Sequence, residues 1–389
     1  MTTHTVDHLL GKIMDSAEGI SDINFSVGRP PQVEVYGNLQ AAALDPPPAP
    51  LTPEETEAVA TGLMGDNQEL HDTLKRTGSC DCGYSMPTGN RFRVNIFSTK
   101  GALAVVMRTL TSTVPDLDDL CLPEAIHKIP ELRDGLVLVT GSTGSGKSTT
   151  LAAIIDRINS MRPAHIITLE DPVEFVHPHK RGTINQRELG ADFFRFSDGL
   201  RAALRQAPKV ILVGEMRDRE TVEIALKAAE TGHLVMSTLH TIDAGQTINR
   251  ITGMFEIAER QLVRSRLAEV MRYVVGQRLL PRVSGGRVPA MEIMMSTLRV
   301  HELIQNGEEE DKTFYNVIAE GGSYGMQTFD QHILMLYKDN VISEATARGY
   351  CTDGPTMGRS IDHVRSTRGE ETSDLGDLEM ASTRKRRRR

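Results

Sequence analysis

At 389 residues the chain has room for two or three domains and a sizeable core. A net charge of −8 and the absence of tryptophan weigh against a protein whose main task is to coat nucleic acid, because neither a basic surface nor stacking platforms are on offer. No apolar run approaches the ~18 residues needed to span a bilayer, and the opening MTTHTVDHLLGKIMD lacks the basic and apolar segments of a secretory signal, so a cytoplasmic protein is expected. The four cysteines, Cys80, Cys82, Cys121 and Cys351, include no C-x-x-C pair and read as reduced, mostly buried thiols.

Residues 1–112 read as a small mixed α/β domain. An amphipathic helix carrying Val6, Leu9, Leu10 and Ile13 precedes a strand over Ile20–Val27. The proline-rich Asp45–Pro50 can be neither helix nor central strand. It ends at a helix start, with Thr52 as N-cap, Pro53 at the first helical position and Glu55 closing a capping box. Further on, Phe92, Val94 and Ile96 alternate with Arg91, Arg93 and Asn95, the pattern of a half-buried strand.

Residues 113–134 contain prolines and scattered charges and read as an interdomain linker with a short helix. From Gly135 apolar strands alternate with amphipathic helices, which predicts a parallel sheet with crossovers. The strands are expected at Leu136–Thr140, Ile166–Leu169, Val210–Val213 and Leu234–Ser237. A mostly helical region is expected from Ala258 to Tyr350, closing a second domain at 135–350. Residues 351–389 are polar and end in six basic residues, Arg384–Arg389, so a disordered tail is expected. Its functional reading is an electrostatic anchor to acidic lipid or nucleic acid.

The chemistry is carried by Gly141-Ser142-Thr143-Gly144-Ser145-Gly146-Lys147-Ser148, followed by Thr149. It matches G-x-x-x-x-G-K-[ST] and lies between a strand and an amphipathic helix, the context in which backbone amides and a helix N-terminus cradle phosphates. Lys147 is expected to reach the β- and γ-phosphates of ATP, and the Ser148 hydroxyl to ligate Mg²⁺. A hydrolytic site also needs a carboxylate near the γ-phosphate. Glu215, ending Val210-Ile-Leu-Val-Gly-Glu, resembles the acid of a Walker B strand and is expected to place water and help hold the metal shell. Glu170, ending Ile166-Ile-Thr-Leu-Glu, is the second candidate. Thr238 and His240 end the next strand and are placed to sense the γ-phosphate. Arg91, Arg93 and Arg108 are candidates for an arginine supplied by a neighbouring subunit.

Four blocks now carry a family resemblance: GSTGSGKSTTLAAIID, HIITLEDPVEFVHPHKRGTINQRELG, LRQAPKVILVGEMRDRETVEIALKAAETGHLVMSTLHT and GMQTFDQHILMLYKDNVIS. In this order they resemble the Walker A loop, Asp box, Walker B strand and His box of the type IV pilus retraction ATPases, the PilT/PilU family, over roughly residues 5–350. The resemblance implies a PAS-like N-terminal domain joined to a RecA-like ATPase domain, a homohexameric ring at the inner face of the cytoplasmic membrane, and an inner-membrane pilus platform protein as partner. It makes Glu215 the Walker B acid, Glu170 the Asp-box acid and His233 with His240 the His-box pair, and it strengthens Arg93 and Arg108 as arginines acting across the subunit interface. Extension and secretion relatives usually carry a longer N-terminal region and a four-cysteine zinc motif, and this chain has neither. Leu298–Gly307 keeps Leu303 and Ile304 of the family's Ala-Ile-Arg-Asn-Leu-Ile-Arg-Glu box without its key arginines, and Leu204-Arg-Gln-Ala-Pro is closer to PilU. A PilU-like accessory motor working with a paralogue therefore stands beside an independent one. The alternative class is a secretion or conjugation ATPase.

Overall fold

The computed structural model describes residues 3–35, 37–110 and 113–370, and two sheets organise them. The first sheet contains β1 (Ile20–Phe25), β2 (Gln32–Val35), β3 (Asn38–Ala41), β4 (Ser79–Ser85), β5 (Arg91–Thr99) and β6 (Ala102–Leu110), in the order β3-β2-β1-β6-β5-β4. Its strand neighbours are antiparallel throughout. Only one face is buried, as alternation predicts: Phe92, Val94 and Ile96 of β5 are inaccessible, whereas Arg93 is exposed. Helices Thr3–Met14 and Pro53–Met64 contribute Val6, Leu10, Ile13, Val59 and Leu63 to the same core. The capping box at Thr52 forms as the sequence predicts. Glu55 N–H donates to the Thr52 hydroxyl at 3.3 Å, and Thr52 N–H donates to the Glu55 carboxylate at 2.8 Å.

The second sheet contains β7 (Gly135–Thr140), β8 (His165–Glu170), β9 (Thr183–Glu188), β10 (Val210–Val213), β11 (Leu234–Leu239), β12 (Met271–Pro281) and β13 (Arg287–Met295). Its order is β13-β12-β7-β11-β10-β8-β9, parallel except for β13. The central strands β7, β10 and β11 are buried at every position because both faces are covered. Leu136, Leu138, Ile211 and Val213 enter one core, and Val137, Val139, Val210 and Leu212 enter the other.

Three regions depart from the sequence expectations. Ala258–Tyr350 is rich in helices as expected, but the β12–β13 hairpin, not foreseen, lies within it and joins the sheet beside β7. The turn carrying Gly285 and Gly286, both at positive φ, was the visible signal for that hairpin. Residues 117–131 are not a free linker. Leu117, Ala125, Ile126 and Ile129 pack into the core beneath helix Lys147–Met161. The expected disorder of the tail is corrected over its first part: Gly354–Arg368 is a helix capped by Asp353, and Met357, Ile361 and Val364 seat it on helix Phe329–Lys338. Those three residues fall at i, i+4 and i+7, an apolar stripe easily overlooked in polar sequence. Arg384–Arg389 and the rest of 371–389 lie outside the described residues. Cys121 is exposed, contrary to the reading of buried thiols, while Cys80 is buried.

Candidate nucleotide site

The phosphate loop, Glu170, Glu215 and His240 sit at or beyond the carboxyl ends of parallel strands, where ligands of open α/β sheets bind. The phosphate loop follows β7 and opens helix Lys147–Met161. Its glycines are required by geometry. Gly141, Gly144 and Gly146 hold φ of 141°, 77° and 87°, and a Cβ on Gly141 would lie 2.3 Å from the Gln277 carbonyl oxygen. A Cβ on Gly146 would lie 2.8 Å from Gln277 Nε2. Lys147 is buried, and its Nζ donates to the carbonyls of Gly141 at 2.8 Å and Ser142 at 3.0 Å. Burial lowers its pKa, while Glu215 and Glu174 act against that shift. Ser148 and Thr149 lie half-buried in the first turn of the helix, and Ser142, Thr143 and Gly144 are exposed at the loop's crest.

Gln277 was not foreseen. From β12 it donates to the Ser145 carbonyl at 2.8 Å and accepts from the Thr150 hydroxyl at 2.9 Å, so it braces both arms of the loop. Beside it a cavity of about 280 Å³ is lined by the loop together with Ile242, Arg278, Arg287 and Tyr350. A polyanionic ligand with its divalent cation fits these residues. The glycines leave space that side chains would fill, and the buried Ser145 Oγ has no hydrogen-bond partner.

Glu215 follows β10, two strands from β7 and hence roughly 10 Å across the sheet. Its carboxylate meets Arg217 Nε at 2.8 Å and His240 Nε2 at 3.4 Å. The strand end is tightly built, since a Cβ on Gly214 would lie 3.1 Å from the Leu169 carbonyl oxygen and Thr238 donates to the Gly214 carbonyl at 2.6 Å. Glu170 ends β8, one strand further out. Its Oε1 accepts from the Thr168 hydroxyl at 2.7 Å and from Gln186 Nε2 at 3.1 Å. Burial raises its pKa from the usual carboxylate range to about 7, against the effect of those hydrogen bonds. Glu174, in the loop beyond it, is the acid the sequence reading missed; the signal was present in Leu169-Glu-Asp-Pro-Val-Glu.

The histidines do not come together. His240 leaves the carboxyl end of β11 beside Glu215, whereas His233 precedes that strand, roughly 20 Å away along it. There His233 Nδ1–H donates to the Ala228 carbonyl at 2.9 Å and closes the end of helix Arg219–Glu230.

The arginine candidates also separate. Arg91 pairs within the chain with Glu188 of β9, whose carboxylate also accepts the Val173 N–H at 3.1 Å. Glu188 can approach because Gly83 on β4 has no Cβ to obstruct it. Arg93 and Arg108 are register partners on β5 and β6, and both are exposed; Arg108 Nε meets Asp22 at 2.9 Å.

The loop, its lysine and the strand-end acids together define a P-loop ATPase of RecA-like architecture. Over residues 86–323 the chain matches the family described as Type II/IV secretion system protein. It is 42% identical over 333 residues to the type IV pilus retraction ATPase PilT of Pseudomonas aeruginosa, covering 85% of this chain and 94% of that one. With PilU of the same organism it shares 36% identity, covering 84% of each chain. The crystal structure of the pilus retraction motor PilT with bound ADP superposes with a TM-score of 0.80 at 38% identity, covering 91% of this chain and 98% of that one. The Legionella pneumophila ATPase DotB gives 0.78 at 30%, covering 90% and 95%. The chain belongs to the type IV pilus retraction ATPase family, PilT/PilU, within the type II/IV secretion ATPases.

Proposed function

We propose that the chain is an ATP-hydrolysing motor that shortens type IV pili, working as a ring of identical subunits on the inner face of the cytoplasmic membrane. What supports this most is the convergence of Lys147, Glu215 and Glu170 on one edge of the sheet, in a chain that is 42% identical to PilT. The phosphate loop and Lys147 hold the β- and γ-phosphates, and Ser148 with Glu215 holds the magnesium shell. When bound, magnesium would neutralise charge on the phosphates.

The two carboxylates divide the labour. Glu215, flanked by Arg217 and His240, orients the attacking water. Glu170, with a proton affinity set near neutrality, accepts its proton. As that proton reaches Glu170, the water oxygen bonds to the γ-phosphorus. The bond from phosphorus to the β–γ bridging oxygen breaks, ADP leaves with that electron pair, and inorganic phosphate remains. His240 senses the phosphate through Glu215.

Arg93 and Arg108 lie directly opposite one another on adjacent strands, Arg108 paired with Asp22 and Arg93 exposed. In the ring they face the nucleotide of a neighbouring subunit. The platform protein at the fibre base receives the motion. The test is a deletion strain complemented with this chain or with Lys147→Ala. Excess surface fibres with lost twitching, restored only by the unaltered chain, is the expected result. Loss of all fibres would assign the motor to assembly, and normal fibres with failed secretion would assign it to a transport machine.

A further inference from the structure

Glu170 is held asymmetrically. Both of its side-chain hydrogen bonds, from the Thr168 hydroxyl at 2.7 Å and Gln186 Nε2 at 3.1 Å, end on Oε1. Thr168 is inaccessible within β8, and its hydroxyl hydrogen is committed to Glu170 Oε1. Gln186 is itself fixed from three directions. Its Nε2 also donates to the Phe175 carbonyl at 2.7 Å, and its Oε1 accepts the His177 N–H at 2.8 Å. The amide therefore cannot rotate without breaking bonds to the loop that follows Glu170, and its orientation as a donor toward Glu170 is set by that loop.

We propose that Thr168 and Gln186 are positioning residues that occupy one oxygen of Glu170 and reserve the other, Oε2, as the atom that takes the proton from the attacking water. This rests on the reading of Glu170 as the proton acceptor. A carboxylate oxygen already accepting two hydrogen bonds is the poorer proton acceptor of the pair, and the same two bonds favour the ionised form over the neutral one. The charged groups facing Glu170 are Glu174 from the following loop, which favours its protonation, and Arg91 from β5, which opposes it. Its register neighbour Glu188 is engaged by Arg91 and the Val173 N–H. Neither positioning bond touches the phosphate loop, so nucleotide affinity is independent of them.

The experiment compares the full chain with Thr168→Val, Thr168→Ser, Gln186→Leu and Glu170→Gln. Protonation of Glu170 is titrated in nucleotide-free protein as the carboxyl C=O infrared band lost in Glu170→Gln, and single-turnover hydrolysis of Mg-ATP is followed against pH. Thr168→Val and Gln186→Leu are each expected to raise the titration midpoint, and with it the acidic limb of the rate, by about one pH unit, the scale of a single hydrogen bond to an ionised group. Near pH 7 that lowers the rate about fivefold, while at pH 9 the rates converge and ATP affinity is unchanged. Thr168→Ser, which keeps the hydroxyl, is expected to titrate as the unaltered chain does. Midpoints that do not move in either folded variant, or losses equal at every pH, overturn the assignment. If Glu170→Gln still hydrolyses ATP, the proton-acceptor reading itself falls; if it is inactive and the midpoints stay put, only the positioning role does.

Discussion

Replacing Glu292 by glutamine should stabilise this protein in alkaline solution and not in acid. Glu292 projects from β13, is 5% exposed, and accepts the Ala244 N–H at 2.8 Å in the first turn of helix Ala244–Gly253. Burial raises its pKa from 4.5 to about 7; Asp243 and Asp330 push the same way, and Arg278 opposes them. Between those two values the folded chain holds a proton that the unfolded chain has released. Stability is therefore lost as pH rises through this window, the reverse of what a salt-bridged carboxylate does. A gap of roughly 2.5 units at about 1.36 kcal/mol per unit comes to about 3 kcal/mol, complete above pH 7. Glutamine keeps the acceptor for Ala244 and never ionises, although its amide hydrogens need partners at a cost of about 1–3 kcal/mol that does not vary with pH. The diagnostic is thus the difference between variant and parent across pH. Urea unfolding at pH 5, 6, 7 and 8 and one protein concentration should show Glu292→Gln gaining about 2.5 kcal/mol on the parent from pH 5 to 8, part of the total having been lost already below pH 5. Parallel stability curves would refute the reasoning.

Two further substitutions probe the supports of the phosphate site. Gly146→Ala places a Cβ at φ 87° and 2.8 Å from Gln277 Nε2, so it should dislodge the Gln277 amide from the Ser145 carbonyl. Titration with a fluorescent nucleotide should show affinity falling by about tenfold or more, since one lost brace of about 1.4 kcal/mol suffices for that; unchanged affinity would show the loop tolerates the shift. Arg91→Ala should cost about 3 kcal/mol, because it strands the buried Glu188 carboxylate, and Glu188→Gln in the same chain should recover much of the loss. A thermal-melt cycle that is additive would disprove the pairing.

The phosphate loop was legible because its chemistry is local: glycines, lysine and serine at fixed spacing between an apolar strand and a helix. Glu170 and Glu215 were legible for a related reason, each ending a strand whose apolar run announced a central position. The braces were not legible. Gln277 reaches Ser145 across 132 residues and Arg91 reaches Glu188 across 97, and nothing local distinguishes such a glutamine or arginine from a solvated one. The strand β9, Thr-Ile-Asn-Gln-Arg-Glu, escaped because it closes the sheet edge and buries only Ile184 and Glu188. Its Gln186 and Glu188 satisfy backbone groups of the loop after β8, so polar residues stand where an apolar pattern would have announced the strand.

The long-range contacts also show how a small change at the phosphates can reach both ends of the chain. On one side Gln277 braces the loop, and the adjacent Arg278 lies 3.9 Å over the Phe329 ring and donates to the Tyr350 carbonyl at 2.9 Å. Gly276 makes room for that ring, since a Cβ there would lie 2.9 Å from it. The C-terminal helices are thereby joined to the strand that carries the brace. On the other side Glu170 is bonded to Gln186, and two residues along β9 Glu188 holds both the Val173 N–H and Arg91 of the N-terminal sheet. Each arm consists of buried, charge-assisted or aromatic contacts with discrete geometries, which switch between arrangements instead of stretching. A motor needs this property. In the mechanism proposed above, the proton taken up by Glu170 lies one side chain from the bond that ties the N-terminal domain to the ATPase core.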